Sequence, residues 1–240
     1  GTIGLSMAEQ CAELVGVEVV AEAVESAKQN AARMGDHIAA KSRFFCADAG
    51  EAAAKLAAEF FGTGRYEDTA HRNGYYTWSA WDAQGREWKF QRDVSISGPD
   101  SEKCELVTPI LTWNDIETLQ ELCRQLRHKG AKSDATRGCG VHIHIGANGH
   151  TPQTLRNLAN IMASHESLLS KALNLDSSRI NRYCQTVDRD FLQRLNARKP
   201  KTMSALADIW YGAHGSNYGR NNHYNDSRYH MLNLHATFTK

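Results

Sequence analysis

The stretch "TRGCGVHIHIG", Thr136 to Gly146, sets two histidines two residues apart, brackets them with glycines and alternates them with Val141, Ile143 and Ile145. Side chains along a β-strand point to alternate faces. The pattern therefore predicts a strand whose Val141, Ile143 and Ile145 enter a core. His142 and His144 would then stand side by side on the other face, about 7 Å apart. Two imidazoles on one rigid face suit a cation or a phosphate group, and Gly138 and Gly140 let backbone or ligand come close. An amphipathic strand with no chemistry on its outer face reads the same way. Zinc is a third reading, with Cys139 as ligand. Against it, Cys139 would point away from His142, and no Cys or His partner follows at the usual spacing.

Outward from this segment the chain reads as short alternating elements. After it, "TPQTLRNLANIMASHESLLSKALN" offers Thr151 as N-cap and Pro152 in the first turn of a helix. Leu155, Leu158, Met162, Leu169 and Leu173 would be its buried stripe. Two shorter helices are expected over 189–197 and 202–210. "YHMLNLHATFT" reads as a final strand, with Asn233 and His235 on one face and Leu232, Leu234 and Phe238 on the core side. Upstream, "NDIETLQELCRQLRHKG" predicts a helix burying Ile116, Leu119, Leu122, Cys123 and Leu126. Acids lie in its first turn, bases in its last, and Gly130 follows. "KCELVTPIL" is a short strand closed by Pro109. "YYTWSAWDAQGREWKFQR" is two aromatic runs around Asp82-Ala83-Gln84-Gly85, a hairpin signal. An unpaired charge at a buried Ile143 is expected to unfold this part of the chain.

The beginning has another character. "LVGVEVV" suits a buried parallel strand. "AEAVESAKQNAARMG" puts Ala23, Val24, Ala27, Ala31 and Met34 on one helical stripe that stops at Gly35. "RFFCAD" is a second strand and "EAAAKLAAEFFG" a helix ending at Gly62. All five Trp and all eight Tyr come after residue 60, which places a candidate domain boundary near residue 50.

With 240 residues, the chain suits one or two domains of roughly 150 residues each. At 41% hydrophobic and 23% charged residues it has the composition of a globular protein with room for a core. A net charge of +1 gives no global argument for nucleic acid or an anionic membrane. No apolar run nears the roughly 18 residues of a membrane span. No basic-then-apolar leader opens the chain, which starts at Gly1 as a processed product or a fragment would. The six cysteines form no CxxC pair, and reduced thiols in a cytoplasmic setting are expected.

Four blocks, in this order, carry a resemblance: "WKFQRDVSI", "CELVTPIL", "GCGVHIHIG" followed by "TPQTLRNL", and "SRYHMLNLHATF". Over about residues 52–240 the chain resembles the amidoligase family, whose fold is similar to that of glutamine synthetase. The resemblance implies ATP-dependent joining of a carboxylate to an amine through an acyl phosphate, with Mg²⁺ neutralising the phosphate oxygens. It implies Glu105 as a metal ligand, and His142 and His144 facing nucleotide phosphates or a metal. Arg92 and Asp93, in the "RD-x-S" block, would contact substrate, a surface ion pair being the other reading. Arg228 would clamp a phosphate or carboxylate, or else close a strand-end salt bridge. Asn233 matches the terminal block. The family's upstream strand of paired carboxylates, and a segment with a Glu and an Arg after the final strand, have no counterpart here. The domain is therefore expected to be truncated at both ends, leaving Glu105 nearly alone as a carboxylate ligand.

"GTIGLSMA", "VGVEVVAEAVESAKQNA" and "FFCADA" resemble the S-adenosylmethionine-binding region of uracil-C5 RNA methyltransferases, over about residues 1–50. That resemblance implies Gly1 and Gly4 as remnants of the glycine loop, Glu18 on the ribose and Asp48 near the adenine. A generic βαβ segment reads equally. The expected fold class is thus α+β: an antiparallel sheet with helices, glutamine-synthetase-like, over 51–240, preceded over 1–50 by an incomplete Rossmann-like βαβ fragment. The expected activity is an ATP- and Mg²⁺-dependent ligase acting on small-molecule or peptide carboxylates and amines. A methyltransferase fragment and a non-catalytic remnant are the alternatives. No membrane partner is expected, and nucleic acid only under the methyltransferase alternative.

Overall fold

The computed structural model describes residues 5–6, 8–18, 21–46, 48–213, 220–222 and 225–239. The chain divides into two compact units, Gly1–Gly140 and Val141–Lys240.

The first unit opens with a parallel pair, β1 (Leu14–Glu18) beside β2 (Ser42–Cys46), with Leu14 opposite Ser42 and Gly16 opposite Phe44. Between them run α1 (Ala21–Arg33) and α2 (Asp36–Lys41). A Cβ on Gly16 would stand 2.6 Å from the Phe44 ring, so only glycine lets that ring lie across the strand. Val24, Ala27 and Ala31 are buried, but Ala23 and Met34 are exposed. Both sit at the margin of the arc that the other three define. Leu5, Ala8, Ala31 and Ile38 form a small core here, with Leu14 and Phe44 against it.

Next come α3 (Ala49–Phe60), β3 (Tyr66–Asp68), the helical turn α4 (Ala70–Asn73), β4 (Thr77–Trp81), β5 (Glu87–Gln91), β6 (Glu105–Val107) and α5 (Ile116–His128). The four strands form one antiparallel sheet in the order β3-β4-β5-β6. The β4–β5 hairpin turns where the Asp-Ala-Gln-Gly signal lies, with Gly85 at φ 76°. Alternation sends Ala80, Trp88, Phe90 and Leu106 to one face, where they pack on the alanines of α3 and on Leu119, Leu122 and Leu126 of α5. Ala54, Ala57 and Ala58 have no exposed surface, and their small size lets α3 lie close on the tryptophan-rich sheet. Cys123, expected on the buried stripe of α5, is exposed.

The second unit is helical: α6 (Pro152–Ala172), α7 (Ser177–Arg182), α8 (Arg189–Arg198), α9 (Met203–Ala213) and α10 (His235–Phe238). Thr151 caps α6 by accepting from the Thr154 amide, and Pro152 opens it. Leu155 and Ala159 are buried and Leu158 and Met162 pack beside them, but Leu173 is 65% exposed past the helix end. Leu155, Phe191, Leu195, Leu206, Trp210 and Tyr211 make the core.

Two expected strands are not formed. "YHMLNLHATFT" contributes an isolated bridge, Gln185 to His230, and then turns into α10. The turn is local: Asn233 accepts from the His235 amide at 2.9 Å, which competes with an extended chain. Residues 139–147 carry neither helix nor strand, and Val141, Ile143 and Ile145 are 84, 82 and 83% exposed rather than in a core. A strand needs a neighbour for its N–H and C=O groups, and among the described residues this unit offers no ladder to either segment. With Ile143 exposed, a charge there has no core to disrupt, which overturns the expected unfolding. The class is α+β, as the sequence predicts. No described helix is long and apolar enough to cross a membrane.

Candidate functional site

In the first unit the sheet has a polar face, turned away from α3 and α5. Thr77, Gln91 and Glu105 lie in one cross-strand row on it. Gln91 Nε2 donates to Thr77 Oγ1 at 3.4 Å, and the Ser79 hydroxyl donates to Glu87 at 2.7 Å. The α4 turn closes over part of this face. Thr69, just before it, shares a 2.7 Å hydrogen bond with Ser79, and Lys89 Nζ donates to Asn73 Oδ1 at 2.9 Å. Glu105 is half-buried on the edge strand β6.

A second group gathers where β5 ends. Asp48 caps α3 through the Glu51 amide at 2.9 Å. The Arg92 guanidinium lies 3.7 Å from Asp48 and 3.5 Å from Asp100, and 4.2 Å above the Tyr76 ring. Its Nε is buried and has no hydrogen-bond partner among the described residues. Burial, and then the Asp48 carboxylate, hold the Tyr76 hydroxyl protonated above the usual tyrosine range. Burial, and then the charges of Asp48 and Glu105, push the Cys104 thiol up to about 12. Two carboxylates from different elements thus bear on one sulfur. Arg92 makes an ion pair with exposed Asp100 and with more buried Asp48. Its guanidinium sits between two carboxylates and a ring with a donor left over, which suits an anionic oxygen. Asp93 is engaged locally, accepting from the Ser95 amide at 2.7 Å and the Ser95 hydroxyl at 2.8 Å.

In the second unit the His142 and His144 rings lie on the same side of the chain, with centroids 6.4 Å apart, and both residues are exposed. Arg228 sits in a 3-10 turn (Asp226–Arg228), its guanidinium 5.7 Å from the Tyr229 ring. Asn233 shapes the entry to α10 rather than sharing a strand face with His235. His235 is buried: Nε2 meets the Asn222 carbonyl at 2.9 Å and Nδ1 meets the Tyr211 hydroxyl at 2.7 Å. A carbonyl only accepts, so Nε2 donates and Nδ1 accepts from Tyr211. Glu166 is a buried carboxylate whose two oxygens accept from the Val187 amide at 2.8 and 3.0 Å. Burial holds its pKa above the ordinary value, with the Val187 N–H opposing.

Gly1 and Gly4 lie outside the described residues. Glu18 ends β1, and its carboxylate also lies outside them. Among the described residues no group of three or more His, Cys, Asp or Glu is placed to hold a metal. Sequence reasoning missed Tyr76, Asp100, Cys104, Glu166 and the Tyr211–His235 pair. Alternation within "EWKFQ" signals the polar face carrying Glu87, Lys89 and Gln91. Nothing local signals the others, because register and packing bring them in.

An antiparallel sheet backed by helices, with carboxylates and a guanidinium at one end, defines an α+β protein. The model of the family described as "putative amidoligase enzyme" matches residues 45–240, and the chain belongs to that family, which supports a ligase-like function in general. The match takes in Asp48 as well as Arg92, Glu105 and the two histidines. No curated protein and no solved structure matches the chain.

Proposed function

We propose that the chain joins a carboxylate to an amine at the expense of ATP, through an acyl phosphate. The match to the amidoligase family over residues 45–240 carries this reading. Arg92 supports it: its leftover Nε–H is suited to an oxygen of the carboxylate substrate or of the transferred phosphoryl group. Mg²⁺ is commonly held by one or two carboxylates with phosphates and water completing the shell. Glu105 is proposed as a carboxylate for a Mg²⁺–nucleotide complex, and the lack of a group of three ligands among the described residues does not fit a bare ion. When bound, the ion would neutralise phosphate oxygens. His142 and His144 are proposed to donate to phosphates, Arg228 to hold a phosphate or carboxylate, and Asn233 to contact the nucleotide. Asp93, already bonded to Ser95, is the weakest of the proposed substrate contacts. A cytoplasmic setting is proposed from six cysteines that form no CxxC pair.

The test is phosphate release from ATP and Mg²⁺ with arrays of carboxylates and amines. Release that needs both substrates is expected, falling at least ~100-fold in Glu105→Gln with an unchanged circular dichroism spectrum. Turnover surviving in Glu105→Gln would remove Glu105 as the ligand, and no release with any pair would count against the ligase reading. A second reading, S-adenosylmethionine binding by the first 50 residues, has the parallel β1–β2 pair and its helical crossover in its favour. Calorimetric binding lost in Glu18→Ala would support it.

A further inference from the structure

The second unit holds an open cavity of about 560 Å³ where α6 meets the end of α8. Arg156, Asn157, Asn160 and Ile161 line it from α6, and Asn196 and Lys199 line it from α8 and its C-terminal cap. Two of these asparagines form a reciprocal pair between the helices. Asn160 donates to Asn196 Oδ1 at 3.0 Å, and Asn196 donates back to Asn160 Oδ1 at 2.9 Å. Asn160 spends its other N–H on the Arg156 carbonyl at 2.8 Å, whereas Asn196 keeps one. The Asn157 amide, the Arg156 guanidinium and the Lys199 ammonium have no partner among the described residues. Each of the two helices carries one acid, and both are engaged: Glu166 accepts from the Val187 amide, and Asp190 pairs with Arg194 at 2.7 Å. The lining thus offers N–H donors and positive charge, and no carboxylate.

Lys199 stands in the left-handed region, at φ 45° and ψ 61°, and Pro200 follows it. Glycine takes that conformation at less cost, and a following proline favours an extended residue before it. Ending α8 is therefore a task that glycine serves better. Backbone strain of this kind points to a use for the side chain, and this side chain lines the cavity. We propose that the cavity binds a phosphomonoester of a small organic molecule. Its phosphate lies between Arg156, whose planar fork suits two phosphate oxygens, and Lys199, which adds a point charge. The amides of Asn157 and Asn196 donate to the remaining oxygens. Ile161, 57% exposed, gives the organic part an apolar contact. The volume lies within the roughly 300–1,000 Å³ of small-molecule sites and leaves room for more than a bare phosphate. None of these residues belongs to the group around Arg92 and Glu105. The proposal goes beyond the ligase reading and is tested without nucleotide triphosphate or metal, so either can fail alone.

Heteronuclear NMR on the full chain reads the side-chain amides of Asn157 and Asn196 directly. The titrants are glucose 6-phosphate, glycerol 3-phosphate and adenosine monophosphate, with inorganic phosphate and glucose beside them at constant ionic strength. Saturable shifts of both amides are expected with at least one ester, binding more tightly than inorganic phosphate does, and none with glucose. Arg156→Gln is expected to weaken that binding at least tenfold. Lys199→Gly is expected to weaken it at least fivefold while Tm does not fall, because glycine relieves the backbone that lysine strains. A purely structural Lys199 would leave binding where it was. No saturable shift with any ester, inorganic phosphate binding as tightly as every ester, or full binding in Lys199→Gly would overturn the proposal.

Discussion

Asp82 collects more donors than its size suggests. Its carboxylate accepts from Trp88 Nε1 at 3.0 Å, from Arg86 Nε at 2.8 Å, and from the amides of Gln84 at 3.1 Å and Arg86 at 2.9 Å. Arg86 continues to Asp115 at 2.8 Å, tying the hairpin to the start of α5. The side chain is nearly inaccessible, so removing it strands the buried Trp88 indole N–H and leaves Arg86 with Asp115 as its one remaining carboxylate. Asp82→Ala is expected to cost about 3 kcal/mol, read by urea unfolding. A loss below about 0.5 kcal/mol would mean that water replaces the carboxylate without strain.

Among the elements, α3 depends on one residue that does two things. Asp48 caps its N-terminus and pairs with Arg92. Asparagine keeps the cap and drops the charge, whereas alanine drops both. Asp48→Ala is expected to lower stability by about 1 kcal/mol more than Asp48→Asn, the ordinary value of an N-cap, measured by thermal melting. If Arg92 holds an anion, Asp48→Asn is also expected to alter the Michaelis constant for the carboxylate, because the guanidinium loses one of its anchors. The Thr151 cap of α6, the stripes of α5 and α6, and the β4–β5 hairpin were legible in the sequence because their signals are local: a capping side chain, a 3.6 period, a turn tetrapeptide. The segments around His142 and Asn233 were misread because alternation states a preference for two faces and says nothing of a neighbour. The site was half legible. Glu105 and Arg92 stood out by resemblance, but Tyr76, Asp100 and Cys104 join them only through sheet register and the placement of α3.

Across the whole molecule one buried carboxylate in each unit is shifted in the opposite direction to the other. In the first, burial works to raise the Asp82 pKa, but hydrogen bonds from Trp88 and Arg86 and the Arg86 charge win, and the net shift is downward. Its stability is fully present above the ordinary carboxylate range and is lost as pH falls through the depressed value. In the second, Glu166 is shifted upward, so the folded unit holds its proton longer than the unfolded chain. That contribution is complete below the ordinary Glu value and is lost as pH rises through the raised one. Calorimetric scans from about pH 3 to about pH 8 are expected to show the Trp88-containing unit weakening in acid. In the unit containing Trp210, Glu166 is expected to weaken stability as pH rises toward neutrality, against Asp176, whose pKa the Ser178 hydrogen bonds lower. Glu166→Gln is expected to flatten only the second slope, and a slope unchanged by that variant would remove Glu166 as its source.

The Cys104 thiol gives the β5 end of the sheet a clock. Burial and the charges of Asp48 and Glu105 keep it protonated at neutral pH, so this half-buried thiol is expected to meet an alkylating reagent mostly when the local structure opens. Exposed Cys123 supplies the reference rate in the same tube. The ratio of the two labelling rates measures how often this corner opens, and a ligand seated on Arg92 slows the clock before any product is made.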